Sequence, residues 1–281
     1  MSDQMYAELF AKRPDFASAH IAIEGVGKRF PAGDSEIMAL TGINLAVKKG
    51  EFVCLLGPSG CGKSTLLNAI AGFQSPTVGT IRVGGEPVVA PGPDRGMVFQ
   101  EYALFPWMTV AQNVAFGLEI KGMRRAEIKT RVAELLAKLN LTDFASRFPK
   151  DLSGGMRQRV AIARVLALDP PVLLMDEPFG ALDSLTRRTL QDELLRLWAE
   201  MNKTIIFVTH SIEESIYLAG RIVVMTYRPG TIKADIPVNL PHPRDAATLP
   251  FNELKRQLSG LVMTEQSRHD AAERAVPVTI A

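Results

Sequence analysis

Residues 52–71 read FVCLLGPSGCGKSTLLNAIA and decide the fold. An apolar run at 52–56 leads directly into a glycine-rich loop at 57–65, which opens a helical pattern. The loop fits the pattern G-x-x-x-x-G-K-[ST] in the strand, loop and helix context that a phosphate-binding loop requires. Glycine is needed because the backbone must curl with its N–H groups toward phosphate oxygens, where Cβ atoms would obstruct it. The sequence therefore predicts a nucleotide-binding α/β protein.

The chemistry of this loop assigns a role to each of its parts. We expect the backbone to surround the phosphates, Lys63 to meet the β and γ phosphates, and the Ser64 hydroxyl to face Mg²⁺. A helix beginning at Thr65 would add a partial positive charge of roughly +0.5 toward the anion. Cys61 is interpreted as a small filler residue whose thiol lies in the nucleotide pocket. The predicted ATP-binding residues of the loop are Gly57, Pro58, Ser59, Gly60, Cys61, Gly62, Lys63, Ser64 and Thr65.

The composition of the 281-residue chain narrows the class of function. Hydrophobic residues make up 47%, which is ample for a packed core. Lys and Arg number 32 against 30 Asp and Glu, so the chain lacks the basic excess that would favour nucleic acid as its main partner. Its two cysteines form no disulfide or zinc framework. With no apolar run of about 18 residues and no signal peptide, the sequence predicts a soluble cytoplasmic chain.

The pattern of hydrophobic residues predicts three layers of organisation. Short β-rich runs from Ile21 onward predict an antiparallel β layer, and continuously apolar runs predict a parallel sheet covered by helices. Between 111 and 167 the period becomes helical, so a helical insert interrupts the sheet. The stretch FNELKRQLSGLV near the C-terminus predicts a docked helix. We expect an extension over 1–20, a core domain over 21–238 with its insert at about 101–159, and a helical tail over 239–281.

Two carboxylates follow the apolar run at 172–175. A carboxylate at the carboxyl end of a parallel strand lies in the ligand crevice, so Asp176 suits the coordination shell of Mg²⁺. Glu177 lies one residue further, where it could polarise an attacking water and act as a general base. Pro178 stops the strand, and Glu177 should therefore point into the crevice.

A third segment, residues 152–158, reads LSGGMRQ and leads into a helical pattern. Together with the phosphate loop and Asp176-Glu177, it resembles the signature of the ATP-binding cassette (ABC) family, and the resemblance covers roughly residues 21–238. This resemblance implies a RecA-like P-loop core with a mainly parallel sheet, an N-terminal antiparallel β layer and an inserted helical subdomain. It also implies an ATPase that uses ATP and Mg²⁺.

The same resemblance assigns roles to residues outside the loop. Phe30 matches the aromatic that stacks on adenine, and Gln100 matches a glutamine that contacts magnesium and water. His210 matches the histidine that holds the γ-phosphate and orients the water with Glu177, and Ser211 with Glu214 predicts a capping box after it. The predicted catalytic residues are Glu177, His210, Gln100 and Lys63, and the predicted metal ligands are Ser64, Gln100 and Asp176.

The LSGGMRQ segment predicts a site made by two chains. A helix N-terminus at Ser153-Gly154-Gly155 is an anion site, yet the phosphate loop of the same chain already holds its own nucleotide. The resemblance implies a head-to-tail dimer, of identical chains or with a related ATPase subunit, in which Ser153 faces the γ-phosphate bound to Lys63 of the other chain. The predicted contacts to that second nucleotide are Ser153, Gly154, Gly155, Gln158 and Asp183.

Finer motifs resemble one branch of bacterial importers, the one for nitrate, sulfonates and taurine. They are PGPDRG at 91–96, LFPWMTV at 104–110 and YRPG at 227–230. The resemblance implies an ATPase on the cytoplasmic face of the inner membrane, working with permease subunits and indirectly with a periplasmic substrate-binding protein. The residues expected to contact the permease are Leu104, Phe105, Trp107 and Met108. The transported substrate stays open, because several substrates share these motifs.

Two other classes of function stay open at this stage. Soluble cassette ATPases that act on DNA or ribosomes generally carry two cassettes or a long coiled coil, whereas this sequence has one phosphate loop and no heptad run. A P-loop small-molecule kinase would share Lys63 but has no use for LSGGMRQ. ATP hydrolysis that requires two chains would argue against the kinase. A membrane-protein gene beside this one would favour the transporter subunit.

Overall fold

The computed structural model describes residues 14–33 and 35–274. Their contacts divide them into two compact units: the first unit holds the described residues up to 91 and from 204 onward, and the second unit holds 92–203. The strands are β1 (Ile21–Ala32), β2 (Ser35–Val47), β3 (Phe52–Leu56), β4 (Val78–Val83), β5 (Glu86–Pro87), β6 (Arg95–Val98), β7 (Val172–Asp176), β8 (Thr204–Thr209), β9 (Arg221–Met225) and β10 (Ile232–Pro237). The α-helices are α1 (Lys63–Ala71), α2 (Val110–Ile120), α3 (Arg125–Lys138), α4 (Gly154–Ala167), α5 (Ser184–Met201), α6 (Ile212–Leu218) and α7 (Leu249–Arg274).

The first unit contains the predicted antiparallel β layer. Its strand order is β2-β1-β4-β5, and β1 pairs antiparallel with β2 and β4. Ile21 pairs with both Val47 and Val83, and alternation along β1 buries Ile21 and Ile23 on the same face. Between β2 and β3 the chain turns, and Glu51 N–H donates to Lys48 O (3.2 Å) in this turn.

The first unit also contains a group of parallel strands that fixes the position of the phosphate loop. β3 is parallel to both β8 and β9, and β10 is antiparallel to β9. Every residue of β3 and β8 is buried, as the continuously apolar sequences predict for strands covered on both faces. The register aligns Leu56 with Thr209. The segments that follow β3 and β8 therefore leave the same edge of this sheet.

The second unit contains a parallel strand pair, β6 with β7, and helices α2 to α5. The expected strand at Met97 to Phe99 is shifted, because the ladder ends where Val98 pairs with Met175 and Phe99 has no place in it. Gln100 consequently lies in a turn beyond the strand, rather than at its end. The predicted apolar stripe of α3 is confirmed, since its members are buried: Ile128, Val132, Leu135, Leu136 and Leu139.

The predicted C-terminal helix is present as α7, and its apolar face is confirmed in part. Phe251, Leu258 and Leu261 are buried, whereas Leu254 and Val262 are half-buried. At the other end, His20 Nδ1 lies 2.7 Å from Thr204 Oγ1, which fastens the residues before β1 to β8. Most of the predicted extension, 1–13, and the end of the predicted tail, 275–281, lie outside the described residues. The domain boundaries proposed above stay predictions.

No helix in the part of the chain that the structure describes is both long enough and apolar enough to span a bilayer.

Candidate nucleotide-binding site

The phosphate loop ends in a helix that begins two residues earlier than expected. Helix α1 begins at Lys63, and Gly62 is its N-cap with φ 96°. Leu66 N–H donates to Gly62 O (2.9 Å), which closes the first turn. A Cβ atom at Gly62 would lie 2.7 Å from Leu40, so this position requires glycine both for its conformation and for space. The expectation of a start at Thr65 is wrong because the left-handed Gly62 already turns the chain into the helix.

The side chain of Lys63 lies inside the curve of the loop. Its ammonium donates to Gly57 O and Pro58 O, both at 2.8 Å, and only 5% of the residue is exposed. Cys61 is fully buried beside it, and a Cβ atom at Gly57 would approach Cys61 Sγ to 2.9 Å. Burial raises the pKa of the Cys61 thiol. The Cys61 thiol therefore packs inside the loop, with Sγ 3.8 Å from Lys63 Nζ, and its place in the nucleotide pocket stays a prediction.

The segment after β8 holds His210 at the same sheet edge as the phosphate loop. Thr209 Oγ1 donates to Glu214 Oε2 (2.5 Å) and accepts from Ser211 N–H (3.0 Å), so the backbone on both sides of His210 is tied down. The predicted capping box forms only in part. Ser211 Oγ accepts from Glu214 N–H (3.3 Å), but the buried Glu214 carboxylate bonds Thr209 instead of returning to Ser211 N–H. His210 itself is exposed.

Phe30 lies on β1 opposite Ile37 and is half-buried. The ammonium of Lys28 lies 5.2 Å from the centre of its ring. An aromatic ring can stack on a base through its flat face. Its contact with adenine stays a prediction.

In the second unit the structure brings Gln100 and Glu177 near each other. A Cβ atom added at Gly180 would lie 3.8 Å from Glu177 Oε2 and 3.9 Å from the side-chain nitrogen of Gln100. Asp176 is the last residue of β7, and both carboxylates are half-buried. Glu177 has φ 43°, a left-handed conformation that a side-chain residue rarely adopts. Such backbone strain is concentrated at functional sites, which supports the role predicted for Glu177.

Arg187, for which the sequence predicted no role, holds the turn that follows Glu177. Arg187 donates to Phe179 O (3.2 Å) and to Leu182 O (2.8 Å), so its guanidinium fixes the segment before α5. Asp183 is the N-cap of α5 and accepts from Thr186 N–H (3.0 Å). The hydrogen bonds from Thr186 hold the pKa of Asp183 below its usual value. Asp183 is exposed, in keeping with its predicted role in a contact between chains.

The LSGGMRQ segment forms the start of α4. Ser153 is exposed and caps the helix, accepting from Met156 N–H (3.3 Å). A Cβ atom at Gly155 would lie 2.5 Å from Thr186 Cγ2, so glycine here allows α4 to approach α5. Gly154 is similarly close to the Tyr102 hydroxyl, 3.2 Å from an added Cβ. The structure thus places the start of α4 next to the start of α5.

Gln158 does not fit the role predicted for it. It is fully buried, on the inward face of α4 that also carries Ala161, Ile162 and Val165. Neither of its amide atoms has a hydrogen-bond partner among the described residues. The expectation overlooked that the fifth residue after the cap turns to the inner face of this helix. In this chain the Gln158 side chain is therefore closed off from solvent.

The segment between Gln100 and α2 is held by three residues with no predicted role. Asn113, fully buried, accepts from Phe105 N–H (2.9 Å) and donates to the carbonyls of Phe105, Met108 and Thr109. Arg164 donates to Ala103 O (2.7 Å), and its guanidinium lies 5.3 Å from the Phe105 ring. Arg157 lies 5.4 Å from the Tyr102 ring. Helices α2 and α4 therefore give this loop a defined shape.

The predicted Mg²⁺ ligands fit that ion by their chemistry. No group of three or more His, Cys, Asp or Glu side chains in the described ranges could hold a metal by itself. Mg²⁺ is usually bound by one or two protein oxygens together with substrate phosphates, so such a group is not required. Ser64, exposed in the first turn of α1, and Asp176, at the end of β7, supply suitable oxygens.

The profile of the ABC transporter family matches residues 40–180. The chain belongs to the ABC transporter family. The nitrate import ATP-binding protein NrtD of Synechocystis sp. is 46% identical over 238 residues, which cover 85% of this chain and 90% of NrtD. The taurine import ATP-binding protein TauB of Jannaschia sp. is 48% identical over 238 residues, covering 84% of this chain and 88% of TauB. A dimeric structure of the ATP-binding cassette MJ0796 bound to ADP and Pi is 35% identical, with a TM-score of 0.70 over 79% of this chain and all of that chain.

These similarities confirm several expectations drawn from the motifs. The fold is the RecA-like α/β fold of ABC ATPases, with a mainly parallel sheet, an antiparallel β layer and a helical subdomain. The chain is an ABC ATPase that binds ATP, and the resemblance to the nitrate, sulfonate and taurine branch is confirmed. The roles of single site residues are not decided by these comparisons and stay predictions.

Proposed function

We propose that this chain is the ATP-hydrolysing subunit of a bacterial importer for a small oxyanion or sulfonate, of the nitrate, taurine or alkanesulfonate type. The observation that carries this proposal is the similarity to NrtD and TauB along about nine-tenths of their lengths. The subunit works at the cytoplasmic face of the cell membrane with separate permease subunits and, through them, a periplasmic substrate-binding protein. Nitrate and sulfonates are both compact oxyanions, so this substrate class is chemically coherent.

Within this proposal different residues of the chain bind the nucleotide and activate the attacking water. The phosphate loop and Lys63 bind the phosphates, and Phe30 stacks on adenine. Glu177 accepts a proton from the attacking water, and His210 holds the γ-phosphate and orients that water. Ser64, Gln100 and Asp176 would hold Mg²⁺, which would neutralise phosphate charge.

The substrate is tested by reconstitution. The chain is co-purified with the membrane protein encoded beside it, and uptake of nitrate, taurine and alkanesulfonates into vesicles is measured with ATP supplied on the side of this chain. ATP-dependent uptake of one of these anions supports the proposal. Failure to associate with any membrane protein, together with ATPase activity stimulated by DNA or ribosomes, would favour the soluble cassette class instead.

We also propose that two chains form the active ATPase head to tail, with the start of α4 completing the partner's nucleotide site. Ser153 and Asp183 are exposed, and helices α4 and α5 begin side by side, so one surface presents both predicted contacts. A helix N-terminus with a serine cap is favourable for an anionic phosphate. The dimeric MJ0796 cassette with ADP and Pi supports this arrangement.

Mixed dimers give a direct test of this geometry. A dimer of one Ser153→Arg chain and one Lys63→Ala chain should retain up to about half of the wild-type ATPase activity, because both lesions fall in one composite site and the other is intact. Phosphate release is measured on dimers purified with two different affinity tags. Ser153 also caps α4, so its replacement should lower the free energy of unfolding by about 1 kcal/mol. The melting temperature of each variant is therefore recorded as a control for this loss of stability.

The matched control places both lesions on one chain and pairs it with a wild-type chain. Each composite site then carries one lesion, so this dimer should lose the activity that the first mixed dimer keeps. Residual activity in the first mixed dimer alone would support the head-to-tail arrangement. Equal loss in both mixed dimers would argue against this arrangement or show that both composite sites must act together.

The second unit offers a surface suited to the permease. Residues that include Met97, Phe105, Phe116, Ile120, Val165 and Leu168 line a largely apolar cavity of about 540 Å³. Beside it, Trp107 is 69% exposed, and its ring lies 5.7 Å from the Phe105 ring. Of the four residues predicted to contact the permease, Phe105 lines this cavity, Trp107 is exposed, and Leu104 and Met108 are half-buried. A short amphipathic helix of the permease would bury this exposed aromatic surface.

Replacing Trp107 with alanine should weaken assembly with the permease by about 2 kcal/mol and uncouple hydrolysis from transport. The isolated chain should still fold and bind ATP, because most of the indole surface is already in solvent. Pull-down on the permease and the melting temperature of the isolated chain measure the two effects. Phe73→Ala, which truncates another exposed aromatic at 50% exposure, serves as the control and should leave assembly unchanged. A large fall in melting temperature with normal assembly would place the docking surface elsewhere.

A further inference from the structure

The turn between β9 and β10 packs directly against the phosphate loop of the first unit. A Cβ atom at Gly230 would lie 2.2 Å from Cys61 O, so this close approach is possible only with glycine. The turn is closed by its own residues, since Thr226 N–H donates to Thr231 O (3.0 Å) and Thr231 N–H donates to Thr226 Oγ1 (2.9 Å). The YRPG motif at 227–230 therefore forms a rigid support for the loop.

Arg228 extends from this support to the tip of the phosphate loop. Its Nε donates to Gly60 O (3.3 Å), and a Cβ atom at Gly60 would lie 3.5 Å from its Nη2. The guanidinium also lies over the ring of Tyr227, 5.9 Å from the ring centre. Tyr227 thus holds the orientation of Arg228, and Arg228 holds the carbonyl of Gly60.

The orientation of that carbonyl determines the direction of the next N–H group. In a trans peptide, the carbonyl oxygen and the following N–H point in opposite directions. Because Gly60 O faces Arg228, the N–H of Cys61 is turned away from Arg228. Gly60 has φ 71° and no side chain to restrict it, so this peptide could otherwise rotate easily. Backbone N–H groups of this loop are the phosphate donors, so their direction affects nucleotide affinity.

Helix α7 contacts the YRPG turn through Glu265 and His269. Tyr227 N–H donates to Glu265 Oε2 (3.0 Å), and Glu265 Oε1 accepts from Lys233 Nζ (2.6 Å). Glu265 is 1% exposed. Burial raises the pKa of the Glu265 carboxyl, but hydrogen bonds from Lys233 and Tyr227 outweigh that effect, and the net pKa is lowered. The ring of His269, also on α7, meets the Tyr227 ring edge-on at 5.0 Å.

We propose that Arg228 is a positioning residue for the phosphate loop and that α7, through Glu265, positions Arg228. The last described helix then sets the affinity for ATP without touching the nucleotide. This inference requires only that the chain binds and hydrolyses ATP, and it is independent of the importer's substrate.

The test separates nucleotide affinity from turnover. Arg228→Ala should raise the Kd and the KM for ATP roughly fivefold to tenfold, which is the size expected for loss of one exposed hydrogen bond that orients the loop, while kcat changes less than about twofold. Arg228→Lys should recover part of the affinity, because an ammonium can still reach a carbonyl oxygen. Kd is measured with a fluorescent ATP analogue, and KM and kcat are measured by phosphate release.

The link to α7 is tested with Glu265→Gln, which should raise the KM in the same direction. Adding it to Arg228→Ala should cause no further rise, because Glu265 acts through Arg228. If Glu265→Gln does not fold, His269→Ala replaces it in the same comparison. Lys255→Ala removes an ion pair that α7 makes with Glu213 of α6, and it is the control that should leave the KM unchanged.

Three outcomes would overturn the proposal. An unchanged Kd in Arg228→Ala shows that the loop does not need this contact. A fall in kcat with an unchanged KM places Arg228 in turnover, not in loop positioning. If the effects of Arg228→Ala and Glu265→Gln on the free energy of ATP binding add fully in the double variant, α7 does not act through Arg228.

Discussion

Replacing Glu177 with glutamine is expected to slow ATP hydrolysis by roughly 10²–10⁴-fold while ATP binding is kept. The amide has nearly the size of the carboxylate, so the half-buried position after β7 and its left-handed backbone should be preserved. The amide cannot accept a proton from water, which removes the general base. Loss of one negative charge also reduces repulsion in the ATP-bound dimer, so that dimer should persist.

Phosphate release and ATP-dependent gel filtration measure the two effects on the same preparation. Glu200→Gln is the matched control, because it neutralises an exposed glutamate on α5 that pairs with Lys138. This control should hydrolyse ATP at the wild-type rate. Turnover close to wild type in Glu177→Gln would show that another group activates the water.

Local sequence identified the parts of the fold whose conformation depends on near neighbours. The buried strand before Gly57 and the glycine spacing up to Lys63 predicted the phosphate loop, because the backbone path and the hydrophobic pattern agree there. The error in the helix start came from Gly62. Its φ of 96° turns the chain into the helix, and the contact that excludes a Cβ atom at this position comes from Leu40, a residue of β2 that lies far away in the sequence.

Predictions failed where a partner far along the chain decides the outcome. Phe99 looks like a strand residue by itself, but the ladder ends where Val98 pairs with Met175, and Phe99 does not pair with Asp176, the next residue of β7. Gln158 ends the LSGGMRQ motif, yet the packing of α4 turns it inward. The first error concerns where a strand ladder ends and the second which face of a helix is buried, and sequence spacing alone does not contain either piece of information.

The residues that shape the loops were missed for a related reason. Asn113, Arg187 and Glu265 act by hydrogen bonds to backbone groups, which carry no side-chain pattern. Glu265 lies 38 residues from its partner Tyr227. The sequence of α7 is rich in charged residues, and nothing in it distinguishes the buried Glu265 from exposed charged residues nearby. Only the fold distinguishes them.

Replacing Lys63 with alanine is expected to fail in a different way from Glu177→Gln. The ammonium of Lys63 already lies between Gly57 O and Pro58 O, in the centre of the loop, so its removal takes away both the phosphate contact and a link that organises the backbone. A charge-assisted hydrogen bond to phosphate is worth about 1.5–3 kcal/mol, which corresponds to a rise in the Kd for ATP of roughly 10- to 200-fold.

Titration calorimetry with ATP measures this loss directly on the Lys63→Ala chain. Lys203→Ala is the control, because that lysine also donates to a backbone carbonyl and pairs with a carboxylate, both of Asp169, but lies outside the phosphate loop. Its Kd for ATP should equal that of the wild type. The melting temperature without nucleotide separates lost phosphate contact from a disordered loop, since only the second lowers it. If Lys63→Ala binds ATP as tightly as the wild type, the glycine-rich backbone alone provides the affinity, and Lys63 has to act later, on the γ-phosphate during hydrolysis.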